Sequence, residues 1–592
     1  MTKQTHWPTM PTTRRRFVLG TSSVLACASL PWASLVSSNE QAVNFPELRG
    51  QRFNLEIDYQ LVNFTGQNKI ATTVNGSLPA PILRWKQGEK VTLKVTNNLA
   101  HDSSIHWHGM ILPSNMDGVP GLSFAGIKPG ATFEYQFDVQ QSGTYWYHSH
   151  SGFQEQTGLY GAIIIDPADA DPVECDRDYV VILSDWTDED PADVYAKLKK
   201  QSHYYNRQER TVVDTLNDIK DKGVKQTWRD RKMWNQMRMS DRDISDVTGT
   251  TYTFLMNGHT PEQGWTGLFN KGEKIRLRFI NAAAMTLFDV RIPDVKMTVV
   301  AADGQNIEPV TIDDFRIGVA ETYDVIVEPE ADKAHTIIAQ AIDRSGFAYG
   351  VLTPDINMKS ELPELDPSPI LTMADMGMDH SAMNDMPNDM GHQMDHSMHM
   401  AMATQMGSGK AGYGSNLPIT HKESEFGPHV DMRAEMPMYK LDDPGIGLRD
   451  HAEKYGRKVL TYADLHNLYG TSHLAEPDRE IQLHLTGNMS RYMWSIDGIK
   501  YADADPIILK YGERVRFTLI NDTMMNHPMH LHGMWSDLET GDGKRIPRKH
   551  TVIVQPGAKV SYLVTADARG RWAYHCHLAF HMMSMFREVR VI

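Results

Sequence analysis

Gly88-Glu89-Lys90-Val91-Thr92-Leu93-Lys94-Val95-Thr96-Asn97 is the stretch from which the fold can be read, because the chain writes it three times. It returns as Gly272-Glu273-Lys274-Ile275-Arg276-Leu277-Arg278-Phe279-Ile280-Asn281 and as Gly512-Glu513-Arg514-Val515-Arg516-Phe517-Thr518-Leu519-Ile520-Asn521. In each copy a glycine turn precedes alternating apolar and polar residues, the period-two pattern of a half-buried strand. Repetition of this kind signals a repeated domain. Short strands punctuated by Pro129-Gly130 and Pro556-Gly557 favour all-β sandwiches or barrels. Three such domains are expected, at 45–167, 175–355 and 430–592, with little helix. The charged stretch 190–240 is less strand-like and is expected to hold helix or an irregular insertion.

A second shared piece is Gly143-Thr144-Tyr145-Trp146-Tyr147-His148-Ser149-His150, matched by Gly570-Arg571-Trp572-Ala573-Tyr574-His575-Cys576-His577. In the middle domain Gly346-Phe347-Ala348-Tyr349-Gly350 is expected to take its place, keeping the aromatic spacing without the histidines.

The chain has 592 residues, 41% hydrophobic and 22% charged, with three cysteines. That composition excludes wholesale disorder, a collagen-like chain and a disulfide scaffold. A net charge of −15 argues against nucleic acid as a partner and favours cations. The counts of 26 His and 34 Met supply imidazole and thioether donors, which point to copper. Thr13-Arg14-Arg15-Arg16-Phe17-Val18-Leu19 precedes a modest apolar stretch, so residues 1–39 are expected to be a twin-arginine signal peptide. Periplasmic localisation through the twin-arginine export machinery follows from it. Ser22, Ser23, Ser29, Pro31 and Ser34 make the stretch a poor membrane span. Removal of the signal leaves Cys175 and Cys576, so a thiol can be reserved for metal.

Residues 373–406 hold 11 Met, 4 His and 5 Asp without apolar periodicity. This segment, within a Met/His-rich linker at 361–425, is expected to be a flexible loop that binds additional Cu(I) through soft thioethers.

At 26 His in 592 residues, chance gives about one His-x-His pair; the chain has four: His106/His108, His148/His150, His530/His532 and His575/His577. On a strand, residues i and i+2 share a face, so each pair can present two imidazoles to one place. His106 and His530 each lie nine residues after the repeat's Asn97 and Asn521; the middle domain has Val290 there. Cys576 sits between His575 and His577, so its sulfur points to the opposite face and one tripeptide can touch two metal sites. His527 and His581 fall where the first domain has Ser103 and Gln154, and Ser149 stands in place of Cys576. The third domain alone can therefore build a His₂Cys site with a weak axial Met.

His106-Trp107-His108-Gly109, Tyr147-His148-Ser149-His150, His527-Pro528-Met529-His530-Leu531-His532-Gly533 and His575-Cys576-His577 with His581 resemble the four copper motifs of multicopper oxidases. The likeness runs from about residue 45 to the end. The leader and the Met-rich insert resemble the bacterial copper-resistance branch. The resemblance implies three cupredoxin-like Greek-key domains and four copper ions. His527, Cys576 and His581 would hold type 1 copper, and His106 and His530 type 2. His108, His148, His150, His532, His575 and His577 would hold the type 3 pair, between the first and third domains. It further implies oxidation of one-electron donors at the Cys576 site, electron flow along the chain to His575 and His577, and reduction of dioxygen to water. The expected donor is Cu(I), with small phenols as alternatives and copper chaperones as partners. A laccase-like phenol oxidase and a copper-sequestering protein are the competing readings.

Two positions depart from the family pattern. The axial ligand usually lies ten residues after the cysteine, here Phe586, whereas Met585 lies at nine and is the chemically apt ligand. An acid that follows the last histidine in some relatives is here Met582. Asp117, in Met116-Asp117-Gly118, matches the other acidic position and is a candidate for proton delivery.

Overall fold

A computed structural model describes residues 45–208, 210–378 and 411–592 of the protein. Its strands form six sheets in three pairs, with four and five strands in the first pair and six and five in each of the others. The repeated stretch occupies the same place each time. Lys90–Asn97 runs parallel to Arg52–Val62 and antiparallel to Thr132–Asp138. Ile275–Asn281 is parallel to Arg177–Trp186 and antiparallel to Thr322–Val327. Arg514–Asn521 is parallel to Arg479–Asn488 and antiparallel to Lys559–Thr565.

Both ends of the repeat have a mechanical reason. Gly88, Gly272 and Gly512 turn the chain into the strand at φ of +87°, +80° and +87°, a left-handed conformation that strongly favours glycine. At the other end the Asn side chain ties the strand to two loops. Asn97 Nδ2 donates to the carbonyls of His101 and Ile127 (2.8 and 2.7 Å), and Asn521 Nδ2 to those of Met525 and Val554 (2.7 and 2.9 Å). Asn281 does the same with Thr286 and Ile317 (2.9 and 3.1 Å). These ties fix the loops that enter the histidine strands.

The half-buried reading holds for Lys90–Asn97, whose burial alternates along the strand, but Ile275–Asn281 and Arg514–Asn521 are buried throughout. Their polar face is covered by other parts of the chain, and its charges are paired. Arg278 bonds Asp178 and Asp324 and reaches Thr144 of the first sandwich, while Arg516 bonds Glu539. Buried charges persist only when compensated in this way.

The expected middle counterpart of the histidine strand is corrected by the pairing. Gly143–His148 and Gly570–Cys576 each lie between the strand that carries the first histidine pair and the strand that follows them. His335–Ala341 has that place in the middle sandwich; Phe347–Thr353 is the strand after it. Aromatic spacing misled because aromatic residues suit any strand packed on one face.

The stretch 190–240 forms helices Pro191–Lys200, Val212–Lys222 and Val224–Met237. At the start of the Met-rich segment, Met376 is fully buried and Met373 and Met378 pack against the core, so these thioethers fill space rather than belong to a free loop. The remainder of that segment and the expected signal peptide lie outside the described residues. Among the described residues, no helix is long and apolar enough to cross a membrane.

Candidate metal centre

Two short strand pairings bring the histidine pairs together. His106 stands opposite His148 in the first sandwich, and His530 opposite His575 in the third. The two sandwiches meet there: His108 stacks on His530 with centroids 3.7 Å apart, and His106 on His532 at 4.0 Å. His150 Nε2 lies 3.4 Å from His575 Nε2, which lies 3.0 Å from His532 Nε2. His577 completes the ring, 4.9 Å from both His108 and His148 by centroids. Nitrogen donors of His106, His108 and His148, of His106, His530 and His532, and of His150, His532 and His575 converge within 4.8 Å in each group.

The ring orientations follow from what holds the other nitrogen. His106 Nδ1 donates to the Asp117 carbonyl (2.7 Å) and His530 Nδ1 to the His550 carbonyl (2.6 Å). His532 Nδ1 meets Asp117 Oδ2 at 2.9 Å, His148 Nδ1 meets Glu155 Oε2 at 2.8 Å, and His575 Nδ1 donates to the Cys576 carbonyl at 3.0 Å. Each arrangement leaves Nε2 facing inward. Among the described residues, Nε2 of His106, His108, His148, His530 and His577 is buried without a hydrogen-bond partner. Buried polar atoms are seldom left this way, and a cluster of lone pairs aimed at one space suits cations. Burial, then the neighbouring imidazoles, holds His108, His530, His532 and His577 well below the usual histidine range. These rings are neutral and able to ligate.

The second nest lies on the other side of Cys576. Cys576 is in register with Met529, one position from the His530–His575 pair, so its side chain takes the opposite face of the sheet. Its sulfur is 3.5 Å from His527 Nδ1 and 4.0 Å from His581 Nδ1, and those two nitrogens are 3.3 Å apart. Their outer nitrogens are fixed: Thr523 Oγ1 lies 2.7 Å from His527 Nε2, and Asp246 Oδ2 lies 2.7 Å from His581 Nε2. Trp494 stacks on His581 at 3.9 Å. Burial pushes the Cys576 thiol up. A bound cation reverses that cost, since a coordinating thiol is deprotonated. Both nests therefore fit metal ions, and sulfur with two imidazoles fits copper.

Met585 and Phe586 part company here. Phe586 is in register with His575 and stacks on its ring at 5.5 Å, which places it on the histidine face. Met585 is fully buried, and its carbonyl accepts from the Cys576 amide at 3.1 Å.

Family models described as multicopper oxidase match residues 56–170, 177–353 and 475–591. Copper resistance protein A of Escherichia coli is 54% identical, over 98% of this chain and 99% of that protein. A copper resistance protein A homolog of Pseudomonas syringae pv. tomato is also 54% identical, with the same coverage. The chain belongs to the multicopper oxidase family. It is a copper-dependent oxidoreductase of the copper-resistance group, using dioxygen as acceptor. Among solved structures, the multicopper oxidase Fet3p superposes with a TM-score of 0.61 at 19% identity, covering 92% of this chain and 90% of that one. A laccase from Botrytis aclada gives 0.60 at 20% identity, over 92% and 88%. Both are multi-sandwich cupredoxin-like folds, as here.

In this multicopper oxidase the sequence pattern missed residues that pack against these histidines and hold them in place. Asp246 lies 335 positions from His581, in an insertion of the middle domain. Glu155 is buried, with burial and then Asp185 pushing its carboxyl well up, and its second oxygen lies 3.9 Å from His577 Nδ1. His550 contributes a ninth imidazole beside His108, 4.8 Å away by centroids. None of the three belongs to a short-range pattern. Only their residue types, acid and imidazole, hinted at a role.

Proposed function

We propose that the protein oxidises Cu(I), with small phenols as secondary donors, and reduces dioxygen to water as an exported, periplasmic defence against copper. His527, Cys576, His581 and Met585 would hold one copper. His106 and His530 would hold a second, and His108, His148, His150, His532, His575 and His577 a pair. Bound copper supplies one-electron oxidation at the sulfur site and multi-electron reduction of dioxygen at the histidine cluster. The observation that carries the reading is the tripeptide His575-Cys576-His577, with sulfur in one nest and imidazoles in the other.

The protein's own groups prepare both places. Thr523 and Asp246 hold the outer nitrogens of His527 and His581, so both Nδ1 atoms face the sulfur. Asp117 grips His106 through its carbonyl and His532 through its carboxylate, joining the first and third domains across the cluster. Among the described residues, Asp117 and Glu155 are the carboxylates that touch the eight imidazoles. They would hold protons beside the site of oxygen reduction. Support for Met585 comes from the first domain. The Ser149 amide donates to the Leu159 carbonyl at 3.1 Å, as Cys576 does to Met585, so Leu159 and Met585 are equivalent although the loops differ by one residue.

Copper content, visible and EPR spectra, and oxygen uptake with Cu(I) test the reading. The copper-loaded protein is expected to show the intense thiolate–copper band and to consume oxygen with Cu(I). Uptake at an undiminished rate in Cys576→Ser overturns it. The Met-rich segment favours sequestration as a second role. Deleting residues 379–406, which spares the buried Met376, is expected to lower copper tolerance while phenol-driven oxygen uptake persists.

A further inference from the structure

Away from both nests, a second group of donors closes on one point in the third domain. Glu425 Oε2 lies 2.7 Å from His421 Nδ1 and 3.5 Å from His484 Nδ1. Asp522 Oδ2 lies 2.7 Å from His484 Nδ1 and 3.8 Å from His421 Nδ1. The two rings are 4.6 Å apart. With bonds of about 2.0–2.2 Å, donors at right angles lie roughly 2.8–3.1 Å apart and opposite donors roughly 4.0–4.4 Å apart. The two short and two long distances here lie between that square arrangement and a tetrahedron, a flattened set.

The carboxylates are built in. Glu425 Oε1 accepts from the Lys422 amide at 3.1 Å, and Asp522 Oδ1 from the Ala434 amide at 2.7 Å. Each acid is thus anchored by one oxygen and offers the other to the imidazoles. Glu425, His484 and Asp522 have fully buried side chains, while His421 is 20% exposed. His421 also forms part of the wall of a cavity of about 430 Å³, together with Met378, Phe426 and Met432. Ions can enter from that side. Two buried carboxylates against two imidazoles make a place whose charge a dication balances.

We propose that His421, Glu425, His484 and Asp522 bind one divalent copper ion. Two imidazoles with two carboxylates suit Cu(II), whereas Cu(I) prefers thioethers and thiolates. The placement fits a receiving site for the oxidised ion. Met378, where the Met-rich segment begins, borders the cavity, and Asp522 precedes Thr523, whose hydroxyl touches His527. No redox step takes place in this site. The receiving role rests on the proposed oxidation of Cu(I), whereas the binding site stands on its own geometry.

The test compares the full-length protein with His421→Gln and Glu425→Gln after loading with Cu(II) and desalting. Each variant is expected to lose one copper per chain and the one-ion share of the nitrogen/oxygen-ligated Cu(II) EPR signal that this site adds to that of the histidine cluster. The thiolate–copper band and phenol-driven oxygen uptake should stay unchanged. Equal copper content and identical EPR spectra in parent and variants overturn the proposal. Should a variant also lose the visible band, anomalous scattering from crystals of the unaltered protein grown with Cu(II) decides. A peak among the four donors upholds the site, and its absence there overturns it. Loss of one copper from the variants of a protein that never consumes Cu(I) keeps the site and removes only the receiving role.

Discussion

The first and third sandwiches place three side chains at the same spot and reach opposite chemical results. In the first, Ser103 and Ser149 hydroxyls both donate to Gln154 Oε1, at 2.7 and 2.8 Å. That triad satisfies itself with protein atoms. In the third, the same positions carry His527, Cys576 and His581, whose two inward nitrogens face each other at 3.3 Å beside a buried sulfur. Those nitrogens keep their lone pairs inward because Thr523 and Asp246 occupy the outer ones. The middle sandwich goes further, with Val290 opposite Ala339 where the others have paired histidines. One fold thus supports a hydrogen-bonded plug, an apolar pair and a nest of inward-facing nitrogens beside a sulfur. Chemistry resides in the side chains grafted on it.

The largest expected break in this contrast is Cys576→Ser, which gives the third domain the residue of Ser149. The thiolate–copper band and Cu(I)-driven oxygen uptake should both vanish, while copper held by the histidine cluster remains countable by elemental analysis. A retained band would mean that the sulfur is not the ligand. Asp246→Asn comes next, because it keeps the shape but weakens the hold on His581 Nε2. Copper affinity at the sulfur site or turnover should fall about 10–100-fold, as for other residues that orient a ligand. Equilibrium copper competition monitored through the visible band measures it, and an unchanged affinity and turnover would deny Asp246 that role.

Much of this contrast was legible in the sequence because it is written in short-range patterns. The threefold Gly-Glu-basic strand, the His-x-His spacing and the Ser149/Cys576 exchange are all local. What stayed hidden depends on how loops and domains pack. Asp246 reaches His581 from another domain, and Glu155 meets His148 through a loop that no period describes. The middle-domain strand His335–Ala341 escapes the pattern because its one histidine opens the strand rather than ending it, and it has no aromatic residue. Met373 and Met376 show the same limit: composition marked them as loop, and packing made them core.

Smaller effects sharpen the comparison. Met585→Leu copies Leu159 of the first domain, and it should keep copper and the visible band while raising the reduction potential, as loss of a weak axial thioether does. Phe586→Leu, on the histidine face, should leave that potential where it was. Redox titration of the visible band separates the two. A potential that moves with Phe586 and not with Met585 would restore the ten-residue spacing of the family.

The mildest change is Ser149→Ala in the first domain. It removes a hydroxyl that donates to Gln154 and accepts from the Ser151 amide at 3.0 Å, but Ser103 continues to hold Gln154. The loss should be about 1 kcal/mol of stability, the usual net value of such a bond, seen as a small fall in the denaturation midpoint. Copper content and spectrum should not change, because this triad is closed by hydrogen bonds. If copper were lost from Ser149→Ala, the two sandwiches would be coupled through His148 and His150 on either side of that serine. The first domain's plug would then be holding cluster ligands in place rather than only filling its own centre.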